Sequence, residues 1–332
     1  MKSVKGEKER LIDDYGREIR SLRFSITNRC NLNCIYCHNE GEERRERREE
    51  ISAELVIGIA RVASAYFDIR KIKFSGGEPL MRDDLVDIIQ GMRDFEDDIS
   101  ATTNGILLSK YAAELADAGL DRVNVSLDSL KEERYDFITS SCNNLPKVIE
   151  GIYSAIDAGL TPLKLNMVLL KGINEEEIEG MMDFVRECNK RGRGEVAILQ
   201  LIELIPCFNH KPLQGLQVSP SGYEADFCGV EAELKSKASA IKTRRLQHRR
   251  KYFVDGVEVE VVHPIDNTEF CANCSRLRIT FEGKIKPCLL RNDHLVPIKS
   301  VDEMHIINKL KLAMKYREPF YKEGKNSKLR TK

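Results

Sequence analysis

Between residues 22 and 203 six short apolar runs alternate with five longer amphipathic stretches. The runs cover 22–26, 71–74, 99–103, 122–127, 163–168 and 196–202, and the helical stretches 53–66, 85–95, 110–118, 145–158 and 175–190. Strands that take turns with helices of this length read as βαβ units sharing a parallel sheet. The predicted fold class is α/β, an incomplete (β/α)6 barrel of the TIM type.

Side chains alternate faces along a strand, and here the two faces differ in chemistry. Leu22, Phe24 and Ile26 oppose Arg23, Ser25 and Thr27, and Ile72 and Phe74 oppose Lys71, Lys73 and Ser75. Ser100, Thr102 and Asn104 form a polar face, as do Asn124, Ser126 and Asp128, and Lys164 and Asn166. A closed eight-stranded barrel fills its lumen with Val, Ile and Leu. A dry lumen lined with Arg, Lys, Ser, Thr and Asn is costly, so the pattern predicts an open barrel whose lumen holds a polar, anionic ligand. The alternative is a sheet with one solvated face, although helices cover the outer face of every strand in such barrels.

The alternation stops after residue 204. Segment 205–223 is rich in Pro and Gly and reads as a crossover loop, followed by a helix to about residue 237. Two hairpins follow, at 251–262 around Asp255-Gly256 and at 276–289 around Glu282-Gly283. The second places Cys288 on a strand beside Cys271 and Cys274. The expected division is 1–204, then 205–322, then a disordered polar tail at 323–332. The charge run 39–50 reads as a solvated loop, and so does the basic run 244–251, for which RNA contact is the weaker reading.

Six of the ten cysteines form two trios: Cys30, Cys34 and Cys37, and Cys271, Cys274 and Cys288. A four-iron cubane normally takes four cysteines, so three thiolates leave one iron open for chemistry. The other residues of note follow the second and third strands: Ser75-Gly76-Gly77-Glu78-Pro79 and Thr102-Thr103-Asn104-Gly105. Glycines there let the backbone approach a ligand. Three cysteines with His38 would also suit zinc, as a Cys3His site or as the staple of a non-catalytic binding module. Cys142, Cys188, Cys207 and Cys228 are scattered; Cys188 suits a buried helix position, and none is given a role. Lys and Arg total 53 and so do Asp and Glu, which speaks against a nucleic-acid surface. No apolar run reaches membrane-spanning length. Ten cysteines without an export signal suit a reducing cytoplasm better than a disulfide framework.

Cys30-x3-Cys34-x2-Cys37, with Tyr36 before the last cysteine, resembles the radical S-adenosylmethionine (SAM) enzymes, as do the Gly-Gly-Glu-Pro and Thr-Thr-Asn-Gly segments after the next strands. The resemblance implies that the open iron chelates the amino and carboxylate groups of SAM. One electron from an external reductant then breaks the sulfonium C–S bond and yields a 5′-deoxyadenosyl radical. From about residue 14 to about 290 the chain resembles, more narrowly, the GTP 3′,8-cyclase family of molybdenum-cofactor biosynthesis, in the manner of archaeal members. The segments that carry this are Leu22-Arg23-Phe24-Ser25-Ile26-Thr27-Asn28-Arg29-Cys30, Gly76-Gly77-Glu78-Pro79-Leu80-Met81-Arg82, Asn124-Val125-Ser126-Leu127-Asp128, Lys171-Gly172-Ile173-Asn174 and Phe270-Cys271-Ala272-Asn273-Cys274-Ser275-Arg276-Leu277-Arg278, with Cys288 beyond.

That family implies a second four-iron cluster on Cys271, Cys274 and Cys288 whose open iron meets guanine. The radical takes the ribose 3′ hydrogen of GTP, and the carbon radical closes onto C8. The product passes to cyclic pyranopterin monophosphate synthase. By the resemblance, Tyr36, Gly77 and Ser126 contact SAM, and Arg23, Lys73, Thr102, Lys164, Arg276, Leu277 and Arg278 contact GTP. Departures are Lys73 and Gln200 in place of family arginines, Ile205 in place of a methionine, and Arg330-Thr331-Lys332 in place of a Gly-Gly end. The oligomeric state is left open, a homodimer included. The rival reading is another two-cluster radical SAM enzyme, such as a peptide-modifying maturase, which carries more C-terminal cysteines than these three.

Overall fold

The computed structural model describes residues 8–42, 49–205, 222–264 and 267–320. Most of the expected crossover loop, Cys207 and the polar tail lie outside the described residues.

The barrel half follows the expected order. It runs β1 (Ser21–Ser25), α1 (Ala53–Phe67), β2 (Lys71–Ser75), α2 (Leu85–Gln90), β3 (Asp98–Thr103), α3 (Leu108–Ala118) and β4 (Arg122–Ser126). Then come α4 (Glu132–Thr139), α5 (Leu145–Asp157), β5 (Leu163–Leu169), α6 (Ile178–Gly192) and β6 (Ala197–Glu203). The short α4 escaped sequence reading because its apolar residues keep no clear helical stripe. The later half supplies α7 (Phe227–Lys237), β7 (Ala240–Thr243), β8 (Arg250–Val254), β9 (Val257–Val262) and α8 (Thr268–Ala272). β10 (Arg276–Ile279), β11 (Lys284–Lys286), β12 (Val296–Pro297) and α9 (Glu303–Met314) complete it. Helix starts are capped locally: the Ser52 side chain accepts from Leu55 N in α1, and Asp302 accepts from His305 N, at 2.7 Å, in α9.

The twelve strands among the described residues join one sheet in the order β12-β11-β10-β1-β2-β3-β4-β5-β6-β9-β8-β7. β1 to β6 are parallel neighbours, β10 lies parallel to β1, and β9 lies parallel to β6. Residues after 204 therefore extend both edges of the barrel sheet instead of building a sheet of their own. The apolar strand faces pack under the helices, with Leu22, Phe24, Ile72, Phe74, Val123, Val125, Leu163, Leu165 and Leu199 all buried. No helix among the described residues is long and apolar enough to cross a membrane.

The turn between β7 and β8, at one sheet edge, reaches across the barrel to the loop that leads into β10, without strand pairing. Gln247, in the turn between β7 and β8, donates its N–H to the Asn273 carbonyl at 2.9 Å. His248 Nδ1 lies 3.0 Å from Glu269, and the Arg249 guanidinium lies over the Phe270 ring. The loop bearing Cys271 and Cys274 thus plugs the gap that six parallel strands leave. It sits at the end where the parallel strands begin, since Arg276 pairs with Ser21. The loop bearing Cys30, Cys34 and Cys37 follows β1 at the opposite end. The five residues of β1 separate the two ends by about 16 Å at the usual strand rise.

Candidate active site

The first cysteine loop is fastened on three sides. Gly77 N donates to Thr27 O at 2.8 Å, and Glu78 N donates to Arg29 O at 2.7 Å. A Cβ on Gly77 would stand 2.1 Å from the Arg29 carbonyl oxygen, and one on Gly76, at φ +144°, 2.4 Å from that of Thr27. Only glycine allows this approach. On the second side, Asn33 N and Ile35 N donate to the carbonyls of Thr139 and Ile138 at the end of α4. On the third, Tyr36 Oη donates to Asp128 Oδ2 at 2.6 Å just past β4, and Asp128 also accepts from Val168 N. Burial lifts the Asp128 carboxyl to about 6. Buried Glu78 accepts from Leu80 N, Thr103 Oγ1 and Asn104 N, and Asn104 Nδ2 reaches Asn31 in the cysteine loop at 2.7 Å. The Gly-Gly-Glu-Pro and Thr-Thr-Asn-Gly segments are thereby one frame behind the thiols.

Burial pushes the Cys34 thiol well up, and Cys37, Asp128 and Cys30 push it further. A positive metal is what stabilises a thiolate in such surroundings. Among the described residues no three Cys, His, Asp or Glu side chains converge to hold a single ion. Three thiolates on one loop suit a four-iron cubane, in which each takes its own iron. His38 instead lines the lumen. Its burial lowers it to about 4, with Arg278, Arg23 and Lys286 adding to the shift against Glu40, so the ring is neutral at pH 7.

The second trio lines a lumen of about 1940 Å³, which also reaches Arg23, Lys73, Thr102, Lys164, Arg276 and Arg278. Cys288 lies two residues past β11 and not on a strand, because Pro287 ends the pairing. A buckle missed in the sequence holds this loop. The Asp13 carboxylate accepts from Arg17 Nε and Arg317 Nε, both at 2.7 Å. Arg317 then donates to the Cys274 and Arg276 carbonyls at 2.7 and 2.8 Å, and Arg17 to the Cys271 carbonyl at 3.1 Å. Burial works to raise the Cys274 thiol, yet Arg317, the Arg276 N–H and the Arg276 and Arg278 guanidiniums outweigh it and hold its pKa below the usual range. This site favours thiolate, as a metal ligand requires.

Strand register explains the lumen. Lys286, Arg278, Arg23, Lys73, Ser100 and Arg122 succeed one another across β11, β10, β1, β2, β3 and β4, each opposite the next. Thr102, Asn124 and Lys164 form a second row across β3, β4 and β5, and Asn166, Gln200 and Glu260 a third across β5, β6 and β9. The polar parity is buried, with Ser100 2 % and Asn124 6 % exposed, so the solvated-face alternative fails. Lys73 and Arg276 have no carboxylate partner among the described residues. Burial, then Arg23, Arg276 and Lys164, push Lys73 well down, and burial, then Arg23, Arg278 and Arg249, push Arg276 well down.

The structure corrects the reading of both charged runs and of the Leu277 side chain, and gives Lys164 a partner that the sequence did not show. Leu277 cannot offer its side chain to a lumen ligand: it points to the opposite face of β10 and is fully buried in the core. Lys164 already has an anion, the wholly buried Glu260 carboxylate, which also binds Arg244 and Arg249 at 2.9 and 3.1 Å. The basic run 244–251 is therefore not simply solvated: two of its arginines face inward. Likewise the start of the charge run folds in, placing Glu40 between Arg23 and Arg278, at 2.7 Å from the latter. No local signal marks Glu40 or Glu260, since their partners lie on other strands. Tyr36, Gly77 and Ser126 lie around the first loop and outside the set that lines the lumen. Cys188 is buried on α6, while Cys142 and Cys228 are exposed.

Two family models match the chain. Residues 24–185 match the Radical SAM superfamily model, and residues 197–322 match the model for Molybdenum Cofactor Synthesis C. A protein of Methanosarcina mazei named Probable GTP 3′,8-cyclase is 52 % identical over 95 % of this chain and 91 % of its own length. Its namesake from Methanocella arvoryzae is 48 % identical over 94 % and 95 %. Among solved structures, Streptococcus suis SuiB bound to S-adenosylmethionine superposes with a TM-score of 0.59 at 17 % identity over 81 % of this chain. This chain spans 60 % of that enzyme, so the likeness concerns the fold. With two cysteine loops at opposite ends of a cationic barrel, and with relatives near half identity along nearly its full length, the chain belongs to the GTP 3′,8-cyclase family of radical SAM enzymes.

Proposed function

We propose that this chain cyclises GTP to a 3′,8-cyclo-7,8-dihydro product, the first step of molybdenum-cofactor biosynthesis, and that it carries two four-iron clusters. Cys30, Cys34 and Cys37 would hold the cluster that takes SAM, and Cys271, Cys274 and Cys288 the one that meets guanine. When bound and reduced by an external donor, the first cluster with SAM supplies a 5′-deoxyadenosyl radical. The product would go to cyclic pyranopterin monophosphate synthase.

The observation that carries the reading is the pair of half-buried cations, Lys73 and Arg276, that have no carboxylate partner among the described residues on the lumen wall between the two thiol loops. Stranded charge costs several kcal/mol, and a triphosphate relieves it with charge-assisted hydrogen bonds. Other residues set position. Tyr36 and Asp128 fix the first loop against β4, Glu78 fixes the glycine segment, and the Asp13 buckle fixes the carbonyls of the second loop. Ser126, just above Asn124 on β4, would bound the SAM end, and Thr102 with Asn124 the middle of the lumen.

Equilibrium binding tests this. Lys73→Ala and Arg276→Ala should each weaken GTP binding by about 1.5–3 kcal/mol and leave SAM binding nearly unchanged. Unchanged GTP affinity in both variants would remove the triphosphate from this lumen.

A further inference from the structure

The turn between β7 and β8 is bent into a shape that needs outside support. Gln247 and His248 both have left-handed backbones, at φ +58° and +46°. Residues with side chains seldom occupy that region, and they stay there only where the surroundings enforce it. The support comes from the second cysteine loop. Gln247 N donates to the Asn273 carbonyl at 2.9 Å, His248 Nδ1 lies 3.0 Å from Glu269 Oε1, and the Arg249 guanidinium lies over the Phe270 ring. Three successive residues thus grip the segment that carries Cys271 and Cys274. A clasp is complete with these contacts, yet the Gln247 side chain makes one more.

That side chain is 7 % exposed, and its amide is aimed. Arg249 donates to Gln247 Oε1. A guanidinium has no acceptor to offer, so the amide oxygen must face Arg249. The amide nitrogen then faces the other way, where Nε2 lies 3.9 Å from Cys274 Sγ, a long N–H···S contact. Arg249 is itself held at 3.1 Å by the wholly buried Glu260 carboxylate of β9. Glu260, Arg249, Gln247 and Cys274 therefore form one line of hydrogen bonds that ends on a thiol. The Arg276 N–H also meets this sulfur, but from the sulfur's own loop. Gln247 reaches it from 27 residues earlier in the chain.

We infer that Gln247 is a positioning residue of the second trio, whose amide donates to the Cys274 thiolate and raises the reduction potential of the iron–sulfur group that trio would hold. A donated hydrogen bond draws electron density from the sulfur. The reduced state carries one more negative charge and gains more from that bond than the oxidised state does. Groups that touch a ligand, and not the metal, tune metal sites in this way. The inference rests on reading Cys271, Cys274 and Cys288 as an iron–sulfur site, and the iron content of the unaltered chain tests that reading separately.

The experiment is a redox titration of the anaerobically reconstituted full chain, followed by electron paramagnetic resonance, with iron measured on every sample. The unaltered chain is compared with Gln247→Met and Gln247→Glu. A chain with Cys30→Ala, Cys34→Ala and Cys37→Ala together shows which signals belong to the second trio. Gln247→Met keeps the side chain's length and loses the donor. Gln247→Glu keeps the contact to Arg249 and sets an oxygen where the N–H stood. The second trio's potential should fall in Gln247→Met and fall further in Gln247→Glu, while its iron is kept and the first trio's potential stays where it was. An unchanged second potential in either variant that keeps its iron would overturn the inference. So would loss of the second trio's iron from both variants, which is the mark of a merely structural clasp. An equal fall at both trios would overturn it too, because a bond to Cys274 acts on one of them.

Discussion

His38 is a residue whose environment decides its charge. Its folded pKa of about 4 lies below the ordinary value of 6.5, first through burial and then through neighbouring Arg278, Arg23 and Lys286. The folded state therefore binds fewer protons, so this contribution to stability is present above about pH 6.5 and is lost as pH falls toward 4. Urea unfolding of the chain should show a loss of up to about 3 kcal/mol from this group between pH 7 and pH 4. His38→Gln should remove that part of the slope, and an identical slope would place the ring in water. Residue roles along strands were legible beforehand because parity is a local property. Arg23, Lys73, Thr102 and Lys164 were placed on the lumen by alternation alone. Their carboxylate partners were not, since Glu260 lies 96 residues from Lys164 and Glu40 belongs to a run whose charge suggested solvent.

At the scale of elements, sequence reading recovered the six parallel strands and both hairpins, because each is a short periodic pattern bounded by turn residues. It did not recover where the hairpins attach. Pairing of β9 with β6 and of β10 with β1 is long-range, and nothing in either hairpin names its neighbour. Nor did it find the buckle that ties Asp13 and Arg17 to Arg317 after α9. Removing the shared carboxylate leaves two buried guanidiniums unpaired, so Asp13→Ala should cost about 3 kcal/mol or more in chemical unfolding. The same variant should lose iron from the second trio before the first, because Arg17 and Arg317 hold the Cys271 and Cys274 carbonyls. A stability change below about 1 kcal/mol, within the range of an exposed pair, would contradict the buckle.

The described residues form one curled sheet whose β7–β8 end closes on a cysteine loop, with another cysteine loop at the far end of the same strands. This arrangement separates two tasks. Anaerobic reconstitution should give about eight irons per chain and about four in Cys274→Ala, by the cluster type three thiolates hold. That variant should still cleave SAM without turning over GTP, and normal cyclisation by it would refute the assignment of the second trio. Fold likeness alone does not choose the substrate, since SuiB has a similar barrel at 17 % identity; the cationic lumen and the near relatives do. The central claim is that a radical made at the first loop reaches the ribose of a GTP held between the loops. Anaerobic turnover with GTP deuterated at C3′, unlabelled SAM and a reductant tests it most directly. The account predicts 5′-deoxyadenosine carrying deuterium, formed together with the cyclised nucleotide; 5′-deoxyadenosine free of deuterium while GTP is consumed would contradict it.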